Sequence, residues 1–267
     1  MAVIVSRMME AVTDAVYPPQ CAVCGGLNMG KGADPADSIH AFPAAFLHPF
    51  VCTYCDGAFT PVQSPMCTVC GRMFETEDAE DHVCGDCIQN PRRFSVARAG
   101  GIYADTLMVL IHQFKYNGKT GLARPLGELL FSVFLNWYDP GDVDVIVPVP
   151  LHHHKFRQRG FNQSYLLLRE WGRSVTAADA RPAGEKICRD AMVRRRKTRS
   201  QTTLSKKERR TNVKGAFGLK QPERIKGKRV VLVDDVYTTG ATVNECAKTL
   251  LAGGAARVDV LTLARVG

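Results

Sequence analysis

The sequence predicts an α/β protein with a mainly parallel sheet flanked by helices, preceded by a small cysteine-rich module. Three observations carry this. Short apolar runs at 143–149, 229–233 and 257–263 alternate with helical patterns. Four CxxC pairs all fall before residue 90. The 267 residues have room for about two domains, at roughly 150 residues each.

Composition narrows the class. At 45% hydrophobic and 23% charged, the chain is not disordered, collagen-like or fibrous. No run reaches the roughly 18 apolar residues of a membrane span. Residues 1–16 are mildly apolar, but Glu10 and Asp14 interrupt them and no small-residue cleavage site follows. This stretch predicts a short amphipathic helix running into Pro18 and Pro19.

The eight paired cysteines are Cys21/Cys24, Cys52/Cys55, Cys67/Cys70 and Cys84/Cys87. A CxxC turn aims two thiolates at one point, and two such turns supply the ligands of a tetrahedral zinc site. Four pairs therefore predict two structural zinc ions. Gly25 and Gly71 follow the first and third pairs, as zinc knuckles require. Disulfides need a secreted context, for which no signal is visible, and a redox CxxC normally comes singly. Local loops close more cheaply, which favours sequential over interleaved pairing. The 27 residues between Cys24 and Cys52 form a long spacer, with 30–49 reading as an inserted surface loop. His40, His48 and His82 are competing ligands, but eight cysteines already complete two sites.

The larger domain follows in order. Residues 105–114 predict a helix with Leu107, Leu110, Ile111 and Phe114 on one face. A second apolar helix spans 122–137, and a buried strand 143–149 ends in prolines. A helix at 162–175, a strand at 229–233, a helix at 242–251 closed by Gly253 and Gly254, and a strand at 257–263 complete it. The lone cysteines, Cys188 and Cys246, read as small buried apolar residues.

Ligands of parallel sheets sit at the carboxyl ends of the strands. Two candidate loops lie there, at 151–160 and 234–242. In the second, Asp234 and Asp235 follow the strand directly. Thr238, Thr239, Gly240, Ala241 and Thr242 then open a helix. Amides plus a helix dipole make a phosphate cradle. Paired carboxylates beside it suit a ribose diol or a magnesium ion.

The run 230–242 (VVLVDDVYTTGAT) resembles the thirteen-residue PRPP-binding motif of type I phosphoribosyltransferases. Further segments resemble the ComF (ComFC) family of competence-associated proteins: 110–119 (LIHQFKYNGK), 147–152 (VPVPLH), 159–164 (RGFNQS), 199–202 (RSQT), 210–213 (RTNV) and 263–265 (LAR). The likeness covers nearly the whole chain, departing mainly at the 30–49 insertion. It implies a double zinc ribbon followed by a type I phosphoribosyltransferase fold. It implies that Asp234 and Asp235 contact the ribose hydroxyls of PRPP, and that Thr238, Thr239, Gly240, Ala241 and Thr242 hold its 5′-phosphate. Lys155, Arg157 and Arg159 are then the cations available to pyrophosphate, with magnesium as cofactor. Lys115 lies in a segment typical of the family and is expected to reach the site. The acceptor would be read by a hood built from 95–137, where no pattern names it.

The formal charge of +9 is local. Residues 189–214 carry eleven basic side chains against two acids, so the rest is near neutral. Arg194, Arg195, Arg196, Lys197, Arg199, Lys206 and Lys207 fit a mobile loop closing over pyrophosphate and, with Arg209 and Arg210, a compatible track for single-stranded DNA, a solvated charge run being the alternative. About six phosphate contacts would give a salt slope near −4. The His152-His153-His154 triplet reads as phosphate-facing or exposed and not as a metal site.

These readings divide the chain into an N-terminal helix at 1–20, a double zinc ribbon at 21–92 and a phosphoribosyltransferase-like domain at 93–267, in a cytoplasmic protein. Two functions remain open: PRPP-dependent transfer to an unknown acceptor, or PRPP binding without turnover by a protein handling single-stranded DNA. PRPP, single-stranded DNA and competence machinery proteins are the implied partners. No signal sets the oligomeric state.

Overall fold

Valine-rich runs form the centre of the sheet. The computed structural model describes residues 19–28, 47, 50–76, 80–169, 171, 183–198 and 206–267. Two short helices, α1 (Thr53–Asp56) and α2 (Gly85–Gln89), belong to the cysteine-rich segment. Then come β1 (Ala97–Ile102), α3 (Asp105–Tyr116), α4 (Ala123–Trp137), β2 (Val145–Pro148), α5 (His153–Arg159) and α6 (Gln163–Arg169). The chain continues through β3 (Met192–Arg194), α7 (Lys206–Val213), β4 (Phe217–Leu219), β5 (Arg229–Tyr237), α8 (Ala241–Ala252) and β6 (Arg257–Arg265). The main sheet is parallel throughout, in the order β1-β6-β5-β2, and β3 pairs with β4 in an antiparallel ribbon.

Side-chain alternation gives this sheet two buried faces. Ile146, Val231, Val233, Leu261 and Leu263 point into one core with α3, α4 and α6. Val145, Val147, Val230, Leu232, Val258 and Val260 point into the other with α8 and β4. In α3, Leu107, Leu110, Ile111 and Phe114 are buried at the spacing of one helix face. Trp171 fills the seam beyond α6, donating its indole N–H to the Gly127 carbonyl at 3.1 Å.

The cysteine-rich segment is hydrogen-bonded onto this frame. Ile102 N donates to Thr60 O (2.8 Å), Val62 N to Gly100 O (3.2 Å) and Ala97 N to Val69 O (2.7 Å). Cys21 and Cys55 pack into the first core, and Cys67, Cys70, Cys84 and Cys87 into the second.

Several expectations change. The strand expected at 229–233 runs on to Tyr237, because β6 keeps pairing with it as far as Arg265. Asp234 and Asp235 therefore lie inside a strand and not in a loop after it. The stretch 151–160, expected as a loop, contains α5, closed by Gly160 at φ +84°. The strand at 143–149 shortens to Val145–Pro148, and the helix at 162–175 is described only as Gln163–Arg169. β1, β3, β4 and α7 were not anticipated. The expected helix at 1–20 and insertion at 30–49 lie outside the described residues, apart from Pro19, Gln20 and Leu47. Among the described residues, no helix is long and apolar enough to cross a membrane.

α4 and α6 meet closely at Gly127, where an added Cβ would lie 2.6 Å from the Leu167 carbonyl oxygen. Alanine favours a helix over glycine by about 1 kcal/mol, but here it must push two backbones apart. Gly127→Ala is expected to lower stability by roughly 1–3 kcal/mol in denaturant unfolding. Stability equal to the parent's would show that the helices separate freely.

Candidate functional site

β2 and β5 part company where the chemistry begins. Their pairing ends at Pro148 and Val233, with one further bond from Val149 N to Val233 O at 2.8 Å. β5 then continues along β6 alone, opening a crevice beside its last residues, as expected at the carboxyl end of a parallel sheet. The crevice holds a cavity of about 390 Å³.

Asp234 and Asp235 enter it from β5, 8% and 5% exposed. Asp234 Oδ1 accepts from Ser164 Oγ at 3.1 Å and from the Asp235 amide at 3.0 Å. Burial, and then the charge of Asp235, push its carboxyl up to about 7. Asp235 Oδ1 meets Lys115 Nζ at 2.8 Å, both side chains being nearly inaccessible. Burial pulls the Lys115 ammonium down, but Asp235 and then Asp234 outweigh it and hold the group above its usual range. Asp235 Oδ2 is buried with no hydrogen-bond partner. A buried carboxylate oxygen in that state suits a donor from outside the chain, such as a ribose hydroxyl or the water of a hydrated cation.

Beyond the acids, Thr238, Gly240, Ala241 and Thr242 line the cavity at the start of α8. Gly240 caps that helix at φ +72°, a conformation natural to glycine. Thr239 Oγ1 accepts from the Ala241 amide at 3.4 Å and does not line the cavity. The positive end of the α8 dipole faces the same space as the acids.

Five basic side chains line the cavity against the two carboxylates: Lys115, Lys155, Arg159, Arg194 and Arg209. The helical form of α5 selects among the expected cations. Lys155 and Arg159 are four residues apart and share a face, whereas Arg157 is turned out and exposed. Burial, then the neighbouring Arg194 and Arg159, lower the Lys155 ammonium. Arg159 donates to Gln163 Oε1 at 2.6 Å and lies 5.1 Å from the ring centre of Tyr116. His152 is not in the cavity lining; its Nδ1 caps α5 by accepting from the His154 amide at 3.3 Å.

The basic block divides. Arg194 is buried, bonds Thr198 Oγ1, lies over Phe217 and faces the cavity. Arg195 and Lys197 are exposed. Arg196 donates to the Asn212 and Lys214 carbonyls, at 2.9 and 2.8 Å, near the end of α7. Arg199 lies outside the described residues, as do the side chains of Lys206 and Lys207, whose backbone begins α7. Arg209, expected only as part of the basic track, also lines the cavity, as do Tyr103, His112, Tyr116 and Val266, which the sequence did not mark. Three of these lie in the 95–137 stretch expected to form the hood.

The cysteines gather as sequential pairing predicts. Cys21, Cys24, Cys52 and Cys55 form one group and Cys67, Cys70, Cys84 and Cys87 another, the sulfurs of each lying within 4.8 Å of one another. Cys24 and Cys52 sulfurs are 3.9 Å apart, and Cys70 and Cys84 sulfurs 3.8 Å. Ligands at ~2.3 Å from a tetrahedral zinc lie about 3.8 Å apart, so both groups fit the ion. The Cys52 amide donates to Cys21 Sγ (3.4 Å) and the Cys84 amide to Cys67 Sγ (3.3 Å). Such donors stabilise thiolates. The first group includes the exposed Cys24, while all four members of the second are buried. His82 belongs to neither: it stacks on Phe74 at 4.0 Å and its Nδ1 donates to the Glu80 carbonyl at 2.8 Å. His40 and His48 lie outside the described residues. Cys188 and Cys246 are buried, as expected.

Comparison with known proteins agrees with this geometry. Residues 186–267 match the family described as Phosphoribosyl transferase domain. The chain is 36% identical over 228 residues to the DNA utilization protein YhgH of Escherichia coli K12, covering 84% of this chain and 93% of that one. It is 32% identical over 216 residues to competence protein F of Haemophilus influenzae, covering 79% and 90%. It is 28% identical over 222 residues to competence protein ComFC of Bacillus subtilis, covering 80% and 84%.

Two outcomes follow from the site itself. Asp234 holds its proton to about pH 7 in the folded state but releases it near 3.8 when unfolded. The folded state therefore binds more protons between those values, and this group's contribution to stability falls as pH rises through that window. Asp234→Asn is expected to flatten that fall and to raise stability at neutral pH by roughly 1–3 kcal/mol, read by denaturant unfolding across pH. Equal pH slopes in the two proteins would refute the buried, raised carboxyl. Separately, metal analysis of zinc-loaded protein is expected to give two zinc per chain, and one after Cys84→Ser/Cys87→Ser. Loss of both ions from that variant would contradict two independent four-sulfur sites.

Proposed function

The chain belongs to the family of competence protein F, ComFC and the DNA utilization protein YhgH, and from that membership and its site we propose that it binds PRPP with magnesium and transfers the phosphoribosyl group to an acceptor. The observation that carries this is the convergence on one cavity of two buried carboxylates, a helix-opening turn and an excess of cations.

Each part has a role in that chemistry. The unpartnered Asp235 Oδ2 accepts a ribose hydroxyl, and Asp234 takes the neighbouring one once it has lost its proton. Lys115 holds Asp235 in place and keeps it charged. The amides at the start of α8 hold the 5′-phosphate. Lys155, Arg159, Arg194 and Arg209 surround the pyrophosphate. As the C1–oxygen bond breaks, its electron pair leaves with pyrophosphate, and the acceptor's lone pair forms the new bond to C1. Charge grows on the leaving group, so fixed cations bind the transition state more tightly than the ground state. Magnesium, when bound with pyrophosphate, supplies further neutralisation. The two carboxylates favour the positive charge developing on the ribose.

A second reading is single-stranded DNA handling, with competence machinery proteins as partners. It is favoured by the relatives' names and by exposed Arg195 and Lys197, which lie outside the cavity. Such contacts would be phosphate-directed and salt-sensitive.

Calorimetric titration separates the readings. Zinc-loaded protein is expected to bind magnesium-PRPP, with Asp235→Asn and Lys155→Gln each weakening it roughly 10–100-fold, the scale of a charged hydrogen bond. Arg157→Gln should change it less than about twofold, since Arg157 faces away. Equal losses at Lys155 and Arg157 would refute the helical selection of cations. No binding by the parent protein, together with DNA binding lost in Arg195→Ala/Lys197→Ala, would leave only the second reading. Pyrophosphate release in the presence of candidate acceptors tests turnover.

A further inference from the structure

Tyr237 is the last residue of β5 and is 5% exposed. Its ring lies directly beneath the turn at the start of α8. A Cβ added at Gly240 would meet the phenol oxygen and lie 2.6 Å from its Cζ. The ring is therefore the floor on which the turn rests. The ring is flanked on two sides, and the Tyr237 backbone is tied to the residue after β6. Val266 N donates to Tyr237 O at 2.9 Å, Phe94 approaches edge-on at 6.2 Å, and the Arg265 guanidinium sits 5.5 Å from the ring centre.

Arg265 links this floor to the second cysteine group. It is 4% exposed, pairs with Tyr237 across β5 and β6, and donates from Nη1 to the Cys70 carbonyl at 2.5 Å. The same nitrogen lies 4.0 Å from Cys70 Sγ. A buried guanidinium requires a compensating negative charge. Among the described residues no ion pair joins it to a carboxylate, and the thiol group beside it is that of Cys70, a member of the second group. Four thiolates around a divalent ion leave a net negative charge, which matches this cation. Gly71, at φ +68°, lets the cysteine turn lie against β1: a Cβ there would come within 2.9 Å of the Ala97 carbonyl. On the other side Arg92, also buried, pairs with Asp86 between Cys84 and Cys87.

We infer that the second cysteine group is a positioning element for the phosphate turn, acting through Arg265 on the ring of Tyr237. With the metal bound, the sulfurs hold Arg265 and Arg265 clamps the ring under Gly240. Without it, Arg265 loses its counter-charge and the turn loses its floor. The site is then competent for phosphate only when this cluster is loaded. The inference rests on the proposed PRPP pocket for its ligand, but the mechanical link does not.

The test uses full-length, zinc-loaded protein, with Arg265→Met and Arg265→Lys as variants that leave all eight sulfurs in place. Hydrogen exchange is followed in the peptide covering 237–243, zinc is counted, and magnesium-PRPP affinity is measured. Arg265→Met is expected to keep two zinc ions, speed exchange at 238–242 and weaken magnesium-PRPP roughly tenfold, the scale of one misplaced polar contact. Arg265→Lys, which keeps the charge, recovers part of both. Chelating zinc from the parent protein speeds exchange in the same peptide while the β2 peptide stays protected. Unchanged exchange at 238–242 in Arg265→Met, or after chelation, overturns the inference. If the parent fails to bind magnesium-PRPP while Arg265→Met still speeds exchange, the link stands and the pocket reading falls.

Discussion

Two adjacent carboxylates buried at the end of one strand repel each other and lose water, and the site is arranged around that cost. The answer differs at each position. Asp234 takes a hydroxyl and an amide as donors and keeps a proton to near neutrality. Asp235 takes a whole ammonium, from Lys115. That choice reaches beyond electrostatics, because Lys115 lies in the last turn of α3, whose apolar face packs the core. The ion pair therefore ties the helix of the expected hood to the strand that carries the acids. One carboxylate oxygen is still left without a partner, so the protein has solved all of the burial problem except the part a ligand can solve.

The sequence made some of this legible and hid the rest for identifiable reasons. The run 230–242 was readable because acids, threonines and a glycine follow a valine strand at fixed spacing. The length of that strand was not, since consecutive aspartates are poor strand formers and only pairing with β6 holds them there. α5 was missed because its residues are strongly polar and carry no apolar period; the error mattered, because a helix and a loop present Lys155, Arg157 and Arg159 differently. β1 was missed because Gly100 and Gly101 weaken any strand signal. Both are needed, as a Cβ at Gly101 would meet Phe59 and Leu107 and one at Gly100 the Leu263 carbonyl. Lys115 was reachable only through its family-like segment. Tyr103, Arg209 and Val266 come from three separate stretches, and no local pattern marks their convergence.

The cysteine groups illustrate how topology assigns different neighbours to similar motifs. Both are built from two CxxC turns, yet they pack against opposite faces of one sheet. The first joins the core of α3 and α4, where Gln113 donates to the Ala22 carbonyl and Thr106 to that of Cys55. The second lies beside β1, the end of β6 and the start of α8. The second therefore shares its core with Tyr237, Ala241 and Val243, the residues on either side of the phosphate turn.

The exposure of Cys24 separates the two groups in time as well as in space. A sulfur open to solvent gives chelators and oxidants a first point of attack, and a fully buried set gives them none. With zinc bound, the two groups would accordingly differ in kinetic lability even with identical ligands. A first group that is attacked first would act as a sacrificial centre, sparing the buried group that touches Arg265.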